Sequence, residues 1–264
     1  MWVSTDDQQT WLRAGTALNK LAIYNLLPLA GGRGLLAAAS DGHLYRTYNA
    51  GRQWEDLIRP FGHHPLRALA QHGSVLVAAG DDGIFRSLDG GAHWHLVMAG
   101  GNDGIATVYW SPRDDQFLAG VQRGSWRMYG GGADAGTWQV VGGAPAAGGG
   151  VAAISWLDGS RSRIVTGAGS GAWIAPASNG PWSRPAGIPG NVPVHALLPE
   201  HRVLGRMYLG TGGGGIYCTV DGGTSWVPLG SHMPSTIFNL VMRPGPTEIL
   251  YAATTDGVFL LHLA

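Results

Sequence analysis

Side chains able to do chemistry are sparse in this chain of 264 residues, and their spacing assembles no complete catalytic set. Cleaving a glycoside needs two carboxyl groups facing each other across a cleft. Glutamate occurs only at Glu55, Glu200 and Glu248; Glu55 follows a recurring tryptophan and Glu200 follows a strand, so neither is placed to serve. Asp41, Asp82 and Asp256 each precede a glycine in a tight turn, which explains them locally and leaves Asp103. A metal needs several converging ligands. His63 and His64 are adjacent and point to opposite sides of a strand, while His93 and His95 share a face but flank Trp94 at a turn. The segment Gly210-Thr211-Gly212-Gly213-Gly214-Gly215 spells G-x-G-x-x-G. A dinucleotide site needs a helix N-terminus after those glycines, and here a strand follows. No catalytic residue, no metal and no cofactor are expected.

The elements that would position these residues are set by a repeat. Trp11, Trp54, Trp94, Trp138, Trp182 and Trp226 lie 43, 40, 44, 44 and 44 residues apart. A period of about 40–45 residues marks a repeat architecture, commonly a β-propeller with one repeat per blade. Each repeat holds four short strands, lettered A to D from the inside of a blade outwards. Strand A is clearest as Ile23-Tyr24-Asn25-Leu26-Leu27 and Ile237-Phe238-Asn239-Leu240-Val241. Strand B is a small apolar run such as Val75-Leu76-Val77-Ala78-Ala79, the pattern of a strand buried on both faces. Asp-Gly and Gly-Gly pairs then make a tight turn that needs positive φ. Strand C carries an aromatic column, Tyr45, Phe85, Trp126, Trp173, Tyr217 and Phe259, and strand D carries the recurring tryptophan.

The expected fold is all-β: a single domain over 1–264 that forms a six-bladed β-propeller of four-stranded antiparallel blades. Closure is expected by pairing the N-terminal strand, Thr10-Trp11-Leu12, with the C-terminal blade, which removes exposed sheet edges. One detail competes with this. Met1-Trp2-Val3-Ser4 also matches strand C, so it and the segment around Phe259 claim one slot.

Composition narrows the partners. The 17 basic and 17 acidic residues cancel and form no basic run, which argues against nucleic acid. Cys218 is the only cysteine, so no intrachain disulfide forms. No apolar run approaches the roughly 20 residues of a membrane span, so direct membrane insertion is not expected. The N-terminus lacks the basic and apolar regions of a signal peptide. The expected setting is cytoplasmic.

Two repeats carry a sharp motif between strands C and D. Ser87-Leu88-Asp89-Gly90-Gly91-Ala92-His93-Trp94 and Thr219-Val220-Asp221-Gly222-Gly223-Thr224-Ser225-Trp226 both read S/T-x-D-x-G-x-x-W. A third copy places Asn49 before Trp54, and a fourth keeps Asp6 and Trp11 without the glycine. The copies ending at Trp138 and Trp182 are degenerate. The Asp accepts backbone N–H groups ahead of it, Gly supplies positive φ and Trp plugs between sheets. Repetition makes these residues structural staples. The pattern resembles the Asp-box, or BNR, repeat of sialidases, sortilin-type receptors, xyloglucan-cleaving enzymes and photosystem II assembly factors. The resemblance spans essentially the whole chain. It implies a propeller whose Asp-boxes lie on the face opposite the substrate site.

That leaves the face carrying the D–A and B–C connections. Its candidate binding residues are His63, His64, Asn102, Asp103, Asn191 and His232 on loops, with Tyr24, Arg67, His195 and Phe238 at the second position of strand A. That position varies between blades (Ala106 and Ala152 in the others), which is where a repeat protein can place ligand chemistry. A sialidase-like site, as the resemblance would have it, needs three arginines for a carboxylate and a Tyr–Glu nucleophile. Only Arg59-Pro60 hints at it, without the Phe-Arg-Ile-Pro pattern. The reading therefore leans away from an enzyme and toward a non-catalytic protein-binding or assembly scaffold, with another protein as partner. The alternative is a carbohydrate-binding protein or divergent sialidase-like glycoside hydrolase, with a glycan as ligand.

Overall fold

The computed structural model describes residues 2–4, 10, 12–13, 15, 17–29, 32, 34–57, 63–124, 126–141, 149–157, 163–200, 202–230, 235–243 and 248–263. Asp6, Trp11 and His232 lie outside them, as does Arg59-Pro60. Among the described residues no helix is long and apolar enough to cross a membrane.

Each sheet is a stretch of consecutive strands, every one antiparallel to the next. A short hairpin comes first, β1 (Trp2–Val3) with β2 (Leu12–Arg13). Blade 1 is β3 (Ile23–Pro28), β4 (Leu35–Ala39), β5 (Leu44–Thr47) and β6 (Glu55–Leu57). Blade 2 is β7 (Leu66–His72), β8 (Val75–Gly80), β9 (Gly83–Ser87) and β10 (His95–Ala99). Blade 3 is β11 (Ile105–Ser111), β12 (Gln116–Val121), β13 (Met128–Gly132) and β14 (Trp138–Val141). Blade 4 holds β15 (Val151–Leu157), β16 (Arg163–Ala168) and β17 (Gly171–Ala175). Blade 5 is β18 (Val194–Pro199), β19 (Met207–Thr211), β20 (Ile216–Thr219) and β21 (Val227–Leu229). Blade 6 holds β22 (Ile237–Arg243), β23 (Ile249–Thr254) and β24 (Gly257–His262). The fold is a six-bladed, all-β propeller with blades of three or four strands.

One expectation changes. In blade 4 the fourth strand shrinks to a bridge between Ile174 and Ser183, because the repeat ending at Trp182 lacks the aspartate that shapes the turn elsewhere. Of the expected closing strand Thr10-Trp11-Leu12, Trp11 lies outside the described residues. Among the described residues β2 pairs with β1, in the register Trp2↔Arg13 and Val3↔Leu12, and β24 pairs with β23.

The chain forms two compact units. The first comprises Met1–Trp110, Asp115–Phe117 and Gly131–Trp138; the second comprises Ser111–Asp114, Leu118–Gly130 and Gln139–Ala264. In the first, Leu36, Ala38, Leu44 and Leu57 of blade 1 pack on Leu76, Ala78, Phe85 and Trp94 of blade 2. In the second, Leu157, Ala172 and Ile174 of blade 4 meet Met207, Leu209, Tyr217 and Trp226 of blade 5. Tyr208, Ile216 and Cys218 on the other side of blade 5 meet Ile237, Leu240, Leu250 and Ala252 of blade 6. The B strands β4, β8, β12 and β19 thus bury both faces, as their unbroken apolar runs require.

Candidate functional site

The second position of strand A is a β-bulge. The pairing register jumps between Ile23 and Asn25, Leu66 and Ala68, Val151 and Ala153, Val194 and Ala196, and Ile237 and Asn239. The residue skipped each time is Tyr24, Arg67, Ala152, His195 or Phe238. A bulge releases one side chain from the sheet's alternation and re-aims it. The variable slot is therefore a repeated geometric device that offers different chemistry from one blade to the next.

In the first unit this device brings Tyr24 and Arg67 together, with His64 on the neighbouring turn. Arg67 donates from Nε to Asp81 Oδ1 at 2.9 Å and from Nη2 to Oδ2 at 3.4 Å, and its Cζ lies 5.1 Å from the centre of the Tyr24 ring. Next to Asp81, the Asp82 carboxylate meets Nδ1 of the exposed His64 at 2.7 Å. His63 is exposed beside it. The loop carrying Asn102 and Asp103 docks on the same turn, with the Gly100 N–H donating to the Asp82 carbonyl at 2.9 Å. Glycine is required there: a Cβ on Gly100 would stand 2.4 Å from the Asp81 carbonyl oxygen. Sequence reasoning missed Asp81. Its signal was the doubled acid of Asp81-Asp82-Gly83, where the equivalent blade 1 turn has Ser40-Asp41-Gly42.

In the second unit His195 is half-buried beside Gly212, and burial lowers its pKa below the ordinary histidine value. Phe238 stands 58% exposed on its bulge. Asn191 is exposed on the loop before β18. Arg184, also missed, ties that loop to the preceding blade. Its Nη1 donates to the Ser170 carbonyl at 2.8 Å and the Gly190 carbonyl at 3.0 Å, over the Trp173 ring at 4.4 Å.

The turn carboxylates each hold a hydrogen-bond partner. Asp41 accepts from the Tyr45 hydroxyl at 2.8 Å and the His43 amide at 3.1 Å, Asp82 is held by His64, and Asp256 by the Ser235 hydroxyl. Asp41 serves its own turn, while Asp82 and Asp256 each tie their turn to the segment that leads into strand A of the same blade.

The Ser/Thr-x-Asp turns behave as staples. In blade 2 the Ser87 hydroxyl donates to Asp89 at 2.8 Å, and the Ala92 and His93 amides donate to the same carboxylate at 3.0 and 2.9 Å. Blade 5 repeats this with Thr219, Asp221, Thr224 and Ser225. In blade 1 Asn49 does the same work toward Gln53. The indole N–H of Trp54, Trp94 and Trp226 donates to the carbonyl of Gly51, Gly91 and Gly223, and that of Trp138 to Ala135. The degenerate blade 3 copy survives because Ala135 itself adopts a positive φ of 50°. The His93 amide and ring and the Ser87 hydroxyl hold the Asp89 carboxyl well below the usual range. Partial burial pushes Asp221 up, but its hydrogen bonds from Ser225, Thr219 and Thr224 bring it down to about 2.

No protein-family model matches the chain, and no curated protein matches its sequence. Solved structures do resemble it. The chain is similar to YCF48 bound to D1 peptide, with TM-score 0.71 and 16% identity over 98% of this chain and 85% of that one. It is similar to the GH74 xyloglucanase from Xanthomonas campestris, with TM-score 0.71 and 20% identity over 97% of this chain and 48% of that one. A chain of the mitotic checkpoint complex matches with TM-score 0.73 and 12% identity over 99% of this chain and 81% of that one. These likenesses show the β-propeller fold. The chain spans about half the length of the xyloglucanase, and at such identities the activities of these proteins stay with them.

Proposed function

We propose that this chain is a non-catalytic protein-binding or assembly scaffold, and that its repeats are of the Asp-box kind. One observation carries the reading: a bulge recurs at one position of strand A and presents Tyr24, Arg67, Ala152, His195 and Phe238 in turn. Identical geometry with changing chemistry suits recognition of an irregular surface, whereas catalysis needs groups converging on one reacting atom. The aromatic and guanidinium groups of Tyr24 and Arg67 match the composition of binding hot spots. YCF48, one of the similar folds, is bound to a peptide, and by analogy a protein segment is the proposed partner here. A cytoplasmic setting belongs to the same proposal and rests on the single, buried Cys218.

The carbohydrate alternative draws no support from Trp110 and Trp156, which belong neither to the recurring tryptophans nor to the strand C column. His72 stacks on Trp110 at 3.6 Å between ring centres, and Arg113 covers Trp156 at 5.0 Å, so neither offers a free platform for a sugar. The test is affinity capture from the native cells with the wild-type chain and with Arg67→Ala and Tyr24→Ala. A stoichiometric partner captured by the wild type and lost from both variants supports the reading. Equal capture by all three, or a signal on a glycan array in place of a protein partner, overturns it.

A further inference from the structure

The turn between β5 and β6 keeps the staple of blades 2 and 5 but changes its side chains. In Ser87–Trp94 and Thr219–Trp226 the second position is Leu88 or Val220, the third Asp89 or Asp221, the fourth Gly90 or Gly222 and the sixth Ala92 or Thr224. Blade 1 has Tyr48, Asn49, Ala50 and Arg52 there. The staple survives, because Asn49 Oδ1 accepts from the Thr47 hydroxyl at 3.0 Å and the Gln53 amide at 2.9 Å. What is lost is a carboxylate; what is gained is a ring, a methyl group and a guanidinium. Ala50 holds that methyl group at φ +54°, in the left-handed region that Gly90 and Gly222 occupy without a Cβ.

All four residues line one cavity of about 820 Å³, at the end of blade 1 that carries the β3–β4 and β5–β6 connections. Small-molecule sites run from about 300 to 1,000 Å³. Pro28 and Leu35 add apolar wall. Tyr48 is 63% exposed yet held in place. A Cβ on Gly34 would stand 2.9 Å from Tyr48 Cδ1, so the ring rests on bare backbone, and Arg46 Cζ lies 5.3 Å from the ring centre. Glu55 fixes and neutralises Arg46, accepting on one oxygen from Nε at 3.2 Å and Nη2 at 2.9 Å. Among the described residues lining the cavity, Arg52 carries the one formal charge.

We propose that this cavity binds a small aromatic carboxylate. The ligand's ring lies on Tyr48 against Pro28 and Leu35. Its carboxylate takes the Arg52 guanidinium, whose fork of N–H donors fits two carboxylate oxygens. Asn49 favours the same ligand. An aspartate there, as in blades 2 and 5, would set a second negative charge beside the ligand's own, and like charges repel. The site lies at the other end of β3 from Tyr24 and does not rest on the Tyr24–Arg67 cluster.

The experiment titrates the full chain by calorimetry with 2-naphthoate, an aromatic carboxylate, and with 2-naphthamide, its uncharged counterpart. Each variant borrows a residue from a sister turn, so the turn keeps its fold: Tyr48→Leu, Asn49→Asp and Arg52→Thr. Saturable binding of the naphthoate at one site is expected. It should weaken about tenfold or more when the amide replaces the acid, and comparably with Asn49→Asp and with Arg52→Thr. Tyr48→Leu should also weaken it, and Arg67→Ala should leave it unchanged. Failure of the naphthoate to saturate, equal affinity for the two probes, or affinity indifferent to both Asn49→Asp and Arg52→Thr overturns the proposal. Binding lost with Arg67→Ala and kept with Arg52→Thr assigns the probe to the other cluster and overturns it equally.

Discussion

Arg67 and Asp81 meet through two hydrogen bonds across the first two strands of blade 2, Nε to Oδ1 at 2.9 Å and Nη2 to Oδ2 at 3.4 Å, with each side chain only 18% exposed. The pair holds the guanidinium against the Tyr24 ring and so fixes the face on which a partner would be read. Asp81→Ala leaves Arg67 half-buried without its acceptor. It should cost about 1–3 kcal/mol of stability, measurable by urea titration, and should also weaken partner capture. Tyr24→Ala removes an exposed ring and should weaken capture with a stability change of about 0.5 kcal/mol or less. If Asp81→Ala matched Tyr24→Ala in stability, the pair would be a surface ornament and not a support.

The recurring tryptophans should not be equal. Trp94 is 8% exposed and its indole N–H is satisfied by Gly91 at 3.0 Å, so Trp94→Ala should cost about 3–5 kcal/mol. Trp182 is half-buried, packs edge-on to Trp126 at 5.0 Å, and its Nε1 has no partner among the described residues. Trp182→Ala should cost about 1–2 kcal/mol. Chemical denaturation of the two variants side by side checks the order.

The staples and strands were legible because they rest on local rules: turn chemistry, apolar runs and a tryptophan period each leave a mark in consecutive residues. The bulges left none. Ile23-Tyr24-Asn25-Leu26 alternates half-buried and exposed like an ordinary strand, so the extra residue is visible only in its pairing. Asp81 was hidden for a related reason. It sits one residue before the turn pair that explains Asp82, and nothing local points from it to Arg67, which is 14 residues away.

Acid should loosen the staples in a defined window. The folded pKa of Asp221 lies at about 2, below the ordinary 3.8, and Asp89 is shifted in the same direction. A depressed folded pKa means that the unfolded chain takes up protons first as pH falls. The stabilisation is therefore complete above pH 3.8 and is lost as pH drops toward 2. Asp221→Asn keeps the shape but removes the ionisation. Its melting temperature should fall less than that of the wild type between pH 4 and pH 2. Parallel curves for the two proteins would show that Asp221 plays no part in acid unfolding.

Gly187 gives the sharpest steric prediction. It lies at φ +86°, and a Cβ there would stand 1.9 Å from the Trp226 carbonyl oxygen. That oxygen belongs to the strand D segment of blade 5, which the Ala186 carbonyl holds through the Trp226 amide at 3.0 Å. Relief cannot come from a side-chain rotation, because the obstructing atom is backbone. Gly187→Ala must either shift the parallel bridge between Ala186 and Ser225 or rotate its own φ out of the left-handed region. Strain of this kind costs about 1–3 kcal/mol, and the lost bridge adds to it. The same change at Gly73, also at positive φ but with nothing within 4 Å of the added Cβ, isolates the conformational part. Gly187→Ala should therefore unfold at a clearly lower urea concentration than Gly73→Ala. Equal midpoints would mean that the contact with Trp226 relaxes at no cost.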